Sequence, residues 1–414
     1  MMHDPNPLGA TGGAAKTFRR RVFYIPGYDP FHPRRYRELY RKEGGEQARI
    51  SGYTIDLKPK KTKGPYGWHA TGMIDGQRTE ADMEVLVWSD IVSSSMSASI
   101  AATYLQLIRT VWAYIGSGAL FRLFKLRKGP MVAALYPIVF LLLQLLAVSL
   151  VGWGLSTLIA QFTHWTLGAM AFGATVYLGL RWFRAKDNKV FAWYLMHDYA
   201  YSAQGQGANP PDLERRMAEF RATIRAALTP EVDEVLVVGH SSGAHLGVSI
   251  LADLLREGLP PRAPALAFLS LGHVVPMVSF LPKAQRLRAD LACLSAQSQV
   301  TWVDVTAPGD GCAFALCDPV AVTGVAPANQ RWPLVVSAAF SQTLSPARQA
   351  ELKRRYFRLH FQYLCAFDAL KGGPEDYDYF RITAGAQTLA DRYRNRAPSK
   401  SRIVTPVNRY TSVA

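Results

Sequence analysis

A chain of 414 residues, 49% hydrophobic and only 19% charged, can bury a full-sized core, which excludes a disordered polyelectrolyte and fits one large domain or two ordinary ones. The formal charge of +16, from 47 Lys and Arg against 31 Asp and Glu, calls for an anionic partner or surface: nucleic acid, anionic lipid or an acidic substrate. Cys293, Cys312, Cys317 and Cys365 lie in the last third without paired C-x-x-C spacing, so they read as reduced thiols and not as a zinc site or a disulfide framework.

Residues 1–20 have no apolar stretch of the kind a cleaved signal peptide carries and read as a flexible arm. Arg21 to Ile25 is a predicted strand that stops on Pro26-Gly27, followed by the polar, helical RRYRELYRKE. SGYTIDL and MEVLVWSDI are β-rich and separated by turn residues. The basic cluster HPRRYRELYRK lacks the interleaved aromatics of an RNA-binding surface and reads equally as a solvated helix, so nucleic acid is not expected.

Between residues 99 and 190 the composition changes. From Gly129 to Leu180 there is no Asp, Glu, Lys or Arg, more than twice the length of about 20 apolar residues that one spanning helix needs. Two spans are predicted, near 131–153 and 161–182, with Gly152 and Gly154 beside the turn. Arg122, Lys125, Arg127 and Lys128 precede them; Arg181, Arg184, Lys186 and Lys189 follow. Basic flanks on both sides place both ends of a hairpin on the cytoplasmic side, which makes membrane lipid the expected partner and accounts for part of the positive charge. The preceding ASIAATYLQLIRTVWAYIGSGALFRLFKLRKG suits helix lying in the membrane interface.

After the hairpin, residues 191–394 alternate helix and strand. PPDLERRMAEFRATIRAAL is an amphipathic helix, EVLVV a strand, and AHLGVSILADLLREG a helix closed by Gly258 and Pro260. ALAFLSLG, VTWVDV and PLVVSAAF read as strands, PARQAELKRRY as a helix, and YFRLHFQYL as a β-like run. Residues 395–414 read as a basic, disordered tail. This alternation predicts an α/β fold with a mostly parallel sheet covered by helices, its parts 21–98 and 191–394 interrupted by the inserted hairpin.

The stretch VLVVGHSSGAH, residues 235–245, sets a buried strand against Gly239-His240-Ser241-Ser242-Gly243 and a following helix. A strand that turns at once into a helix exposes the residue at its bend at the carboxyl edge of the sheet, where chemistry gathers in open α/β folds. This G-x-S-x-G pattern between a strand and a helix resembles the nucleophile elbow of the α/β-hydrolase family, and the resemblance covers the soluble sequence on both sides of the hairpin.

The resemblance implies a Ser-acid-His triad in that chain order, with Ser241 as nucleophile. Only one histidine, His360, follows residue 273, and it is the implied base. The acid is expected after a late strand: Asp310 is favoured, with Asp304 inside VTWVDV and Asp318 in CDPV as the alternatives. The implied oxyanion donors are the amides of Ser242 and of Tyr28 in IPGYDP, where Gly27 permits close approach and Pro26, lacking an N–H, stands where a His is commoner. His240 and His245 read as local packing or polar groups. The implied activity is a membrane-anchored serine hydrolase, facing the cytoplasm, that cleaves an ester or thioester of a lipid or other acyl amphiphile without metal or cofactor. Acyl transfer by the same triad and a catalytically silent membrane scaffold are the other readings this sequence admits.

Overall fold

The computed structural model describes residues 16–96, 99–373 and 376–414; of the arm expected at 1–20, residues 1–15 lie outside the described residues and the rest leads into the first strand. Eight strands form one sheet: β1 (Phe18–Ile25), β2 (Thr54–Pro59), β3 (Gly67–Ile74), β4 (Gln77–Val85), β5 (Glu234–His240), β6 (Ala265–Leu271), β7 (Thr301–Thr306) and β8 (Leu334–Ser337). Their spatial order is β2-β3-β4-β1-β5-β6-β7-β8. β3 runs antiparallel to β2 and β4, and every other neighbouring pair is parallel.

Successive side chains of the central strands enter opposite layers, as the two-residue period of a strand requires. Val22 and Tyr24 of β1, with Leu236 and Val238 of β5, pack on the side that holds Tyr36, Tyr40 and Phe380. Phe23 and Ile25, with Val235 and Val237, pack on the side of the Pro211–Ala226, Gly243–Arg256 and Gln285–Ser295 helices. β5 is buried along its whole length, so it reads as an unbroken apolar run and not as an alternation.

The structure departs from the sequence reading in four places. The turn residues between SGYTIDL and MEVLVWSDI contain a further strand, β3, which small and polar residues in GWHATGMI had concealed. YFRLHFQYL is not a strand: Tyr356–His360 is a short helix and Gln362–Leu364 a 3-10 turn, because the sheet ends at β8. The tail is ordered, with Ile403 bridging Cys317, its amide bonded to the Leu316 carbonyl at 2.7 Å and the Val407 amide to the Val322 carbonyl at 3.2 Å.

The fourth concerns the insertion. Its first long helix, Lys128–Phe162, continues through Gly152 and Gly154, and the chain reverses at Thr163-His164 before the second helix, Trp165–Ala185. Gly152 serves the contact between the two helices instead of the turn, since a Cβ there would stand 3.1 Å from Phe172 Cδ2, whereas one at Gly154 would meet nothing within 4 Å; on the second helix a Cβ at Gly179 would stand 2.5 Å from Val148 Cγ1 and one at Gly168 2.7 Å from the Ser156 carbonyl. Lys128–Phe162 is long and apolar enough to cross a membrane, and 33% of its most apolar window is buried. Met131, Ala134 and Leu141 face protein, whereas Leu142, Leu143, Leu146, Leu150, Trp153 and Phe162 are exposed. The Ala192–Ala203 helix packs on the insertion through Trp193, Met196 and Ala200 against Leu107 and Leu141, with Trp193 Nε1 donating to Gln144 Oε1 at 3.1 Å, and reaches the loop after β1 through the Tyr194 hydroxyl, which donates to the Tyr28 carbonyl.

Candidate active site

The bend after β5 is built by crowding. Ser241 has φ +56°, a left-handed conformation that costs a non-glycine residue roughly 1 kcal/mol or more. Its amide is held by the Leu271 carbonyl of β6 at 2.9 Å, and its carbonyl accepts the Ala244 amide at 3.1 Å. A Cβ at Gly243 would lie 2.1 Å from the Ile25 carbonyl oxygen, and one at Gly239 2.6 Å from the Gly243 carbonyl oxygen. Only glycine therefore lets the elbow helix start this close to β1. Ser241 is left half-buried at the carboxyl edge of the sheet.

The imidazole of His360 lies over the same edge. Gly272, which follows the residue that holds the Ser241 amide, passes beneath it: a Cβ there would stand 3.1 Å from His360 Cε1. His360 Nδ1 is 2.7 Å from Asp310 Oδ2, and the two side chains are nearly inaccessible, at 8% and 0% exposed. Asp310 lies in the loop after β7, where it also accepts the Tyr363 hydroxyl at 3.0 Å and, through Oδ1, the Cys312 amide at 2.9 Å. Burial alone would raise the Asp310 carboxyl; the His360 charge and hydrogen bond, with the Cys312 and Tyr363 donors, outweigh it and hold the group below the usual range. With a carboxylate fixed on Nδ1, the Nε2 position is the one left for proton transfer. Among the described residues no hydrogen bond joins Ser241 Oγ to His360 Nε2.

The loop after β1 completes the edge. A Cβ at Gly27 would meet Ser241 Cβ at 2.9 Å and its Oγ at 3.4 Å, so the backbone here rests directly on the serine. Trp88 Nε1 donates to the Pro26 carbonyl at 3.0 Å, the Tyr194 hydroxyl donates to the Tyr28 carbonyl, and the Tyr28 hydroxyl shares a 2.5 Å hydrogen bond with Ser95 Oγ. Among the described residues neither the Tyr28 nor the Ser242 amide donates a hydrogen bond. Two uncommitted N–H groups beside a serine can donate to a developing oxyanion.

The structure thus brings together Ser241, Ser242, Gly27, Tyr28, His360 and Asp310. It does not bring Asp304 or Asp318 to the imidazole of His360. Asp304 accepts Ser270 Oγ at 2.6 Å and lies 3.6 Å from His273 Nε2; burial pushes its carboxyl up to about 6. Asp318 caps the Pro319–Thr323 helix by accepting the Val320 and Ala321 amides at 2.9 and 3.1 Å. His240 Nε2 donates to the His360 carbonyl at 3.0 Å, and burial, then the nearby His360, pushes it down to about 3, which suits a brace and not a base.

Asp310, Cys312 and His360 also offer ligand atoms within 4.8 Å of one another, a group that could hold a metal ion. Burial, with the Asp310 charge, pushes the Cys312 thiol far up, and the two other groups already bond each other, so the donors fit an acid–imidazole pair better than a cation site.

Sequence reasoning missed Tyr363, Trp88, Tyr194 and Asp198. Tyr363 had a signal, since it lies three residues after His360 and a helical reading of YFRLHFQYL would have set the two on one face. Compared with protein-family models, with curated proteins and with solved structures, the chain matches none.

Proposed function

We propose that the protein is a membrane-anchored serine hydrolase of the α/β-hydrolase type, which cleaves an ester or thioester of a lipid or other acyl amphiphile through an acyl-enzyme. One observation carries this reading: a serine at a positive-φ strand-to-helix bend shares a sheet edge with an imidazole whose Nδ1 is fixed by a buried carboxylate. In that arrangement His360 Nε2 takes the Ser241 proton as Oγ attacks the carbonyl carbon. The Tyr28 and Ser242 amides receive the oxyanion, Asp310 stabilises the imidazolium, and the proton passes to the leaving group. Water repeats the cycle in reverse and frees the acid.

The insertion supports the anchoring half of the proposal. Lys128–Phe162 is long and apolar enough to cross a membrane and exposes Leu142, Leu143, Leu146, Leu150, Val151 and Trp153, and both ends of the insertion carry basic residues. Its entry and exit also reach the site: a Cβ at Gly129 would lie 3.1 Å from Gly311 Cα beside Asp310, and Phe191 packs on Phe357 at 5.0 Å between ring centroids, near His360. A substrate leaving the cytoplasmic leaflet would meet the catalytic edge at the foot of the hairpin.

Two measurements test these halves separately. A fluorophosphonate probe is expected to label the wild type at Ser241 and leave Ser241→Ala unlabelled; equal labelling of both would remove the catalytic reading. After alkaline carbonate extraction the intact chain is expected to stay in the membrane pellet, and its recovery in the supernatant would remove the anchor.

A further inference from the structure

Beside the elbow, Tyr28, Trp88, Asp198, Tyr201, Ser242 and His245 enclose a cavity of about 20 Å³, room for one water-sized group. Three polar groups of its lining are unpaired. The Tyr201 hydroxyl and His245 Nδ1 are buried without a hydrogen-bond partner, and His245 is only 9% exposed. Asp198 has no hydrogen bond or ion pair among the described residues. The titratable groups around it are Tyr28, Tyr114, Tyr194, Tyr199 and Cys312, all held neutral by burial, and the catalytic imidazole of His360.

Asp198 is only partly exposed, and an unpaired carboxylate set among aromatic rings is best satisfied when something that binds there supplies the charge. Resting on the hydrolase reading, we infer that this cavity is a substrate head-group subsite and that it takes a primary ammonium. An ammonium offers three N–H donors around one water-sized centre, which matches the Asp198 carboxylate, the Tyr201 oxygen and His245 Nδ1. A hydroxyl would fit the space but leave the Asp198 charge uncompensated. A quaternary ammonium is several times too large for a space of about 20 Å³. Since Ser242 both lines the cavity and carries a proposed oxyanion donor, the ammonium would lie next to the carbonyl under attack.

The protonation of the two groups agrees. Burial pushes Asp198 up to about 7, opposed by His360, so a bound cation would favour its ionised form; burial pushes His245 down to about 4, leaving a neutral ring able to accept.

The test uses the full chain in detergent at pH 8, with n-butylammonium, n-butanol and tetramethylammonium as probes. Butylammonium is expected to slow fluorophosphonate labelling of Ser241 by about tenfold at a concentration where the other two do not, and Asp198→Asn is expected to lose that ratio whatever its own labelling rate. Equal protection by butanol, or protection that survives Asp198→Asn, overturns the proposal. Should Ser241 not label at all, the hydrolase reading fails on its own. The subsite is then read by thermal melting, where butylammonium must raise the Tm of the wild type and not that of Asp198→Asn, and the reverse result overturns it.

Discussion

Asp310→Asn is expected to lower kcat on a soluble p-nitrophenyl ester by about 10,000-fold while leaving the folded chain intact. The Asp310 carboxylate accepts from His360 Nδ1 at 2.7 Å, from Tyr363 at 3.0 Å and from the Cys312 amide at 2.9 Å, so every group facing it is a donor. An amide in its place can keep its oxygen toward only part of that set. If its NH2 turns to the imidazole, Nδ1 must become the acceptor, the proton moves to Nε2, and the ring can no longer act as base toward Ser241. Whichever way it turns, the charge that stabilises the imidazolium is gone. Asp304→Asn and Asp318→Asn bound the claim: their carboxylates serve Ser270 and a helix cap, so kcat should stay within about threefold even where the Tm falls. A near-normal Asp310→Asn, or an Asp304→Asn equally crippled, would remove Asp310 from the acid role. The pH dependence follows from the direction of the shift. A carboxyl held below its unfolded value contributes stability above an unfolded pKa of about 3.9 and loses it as pH falls through the lower folded value. Acidification from pH 7 to pH 5 therefore leaves Asp310 ionised, and any loss of turnover across that window does not come from this group.

Much of the sheet was legible because its central strands are buried on both faces. Runs such as EVLVV and ALAFLSLG are too apolar for any solvent-facing role, and the glycines after EVLVV marked its end. β3 was not legible, since its buried Trp68, Ala70 and Ile74 alternate with His69 and Thr71 in a stretch whose neighbours are turn-forming. The aromatic content of YFRLHFQYL favoured a strand, yet strand propensity needs a partner strand, and among the described residues none lies beyond β8. In the hairpin, the pattern of charge located the insertion, but Gly152 and Gly154 lie inside a helix and not at the turn, Gly152 because it packs closely on Phe172, while Gly154 has no close neighbour. The polar floor beside the elbow was the least accessible feature. Asp198 is 43 residues before Ser241 by number alone and carries no motif. It reaches the site because the helix that leaves the insertion turns Tyr194, Asp198 and Tyr201 toward the loop after β1, a matter of tertiary docking that no local periodicity encodes.

The closeness of that loop to the nucleophile makes a second large effect, and one separable from folding. Gly27→Ala is expected to reduce kcat by roughly 100- to 1,000-fold, the range seen when an oxyanion donor is lost, while shifting the Tm by no more than a few degrees. The added methyl would stand 2.9 Å from Ser241 Cβ, 3.3 Å from the His240 carbonyl oxygen and 3.4 Å from Ser241 Oγ. The loop can relieve this by withdrawing a few tenths of an ångström toward solvent, which tilts the Tyr28 amide away from the oxyanion and crowds the serine hydroxyl. Gly243→Ala supplies the contrast. Its methyl would lie 2.1 Å from the Ile25 carbonyl oxygen and 2.8 Å from that of Pro26, both fixed backbone, so the elbow helix must leave β1 and the chain should lose more than about 3 kcal/mol of stability. Fluorophosphonate labelling should slow in Gly27→Ala along with turnover, since the phosphonyl oxygen would use the same donors. Were Gly27→Ala to keep full kcat, the Tyr28 amide could not be an oxyanion donor; were it to melt as early as Gly243→Ala, its loss of activity would report folding and leave the loop without a catalytic part.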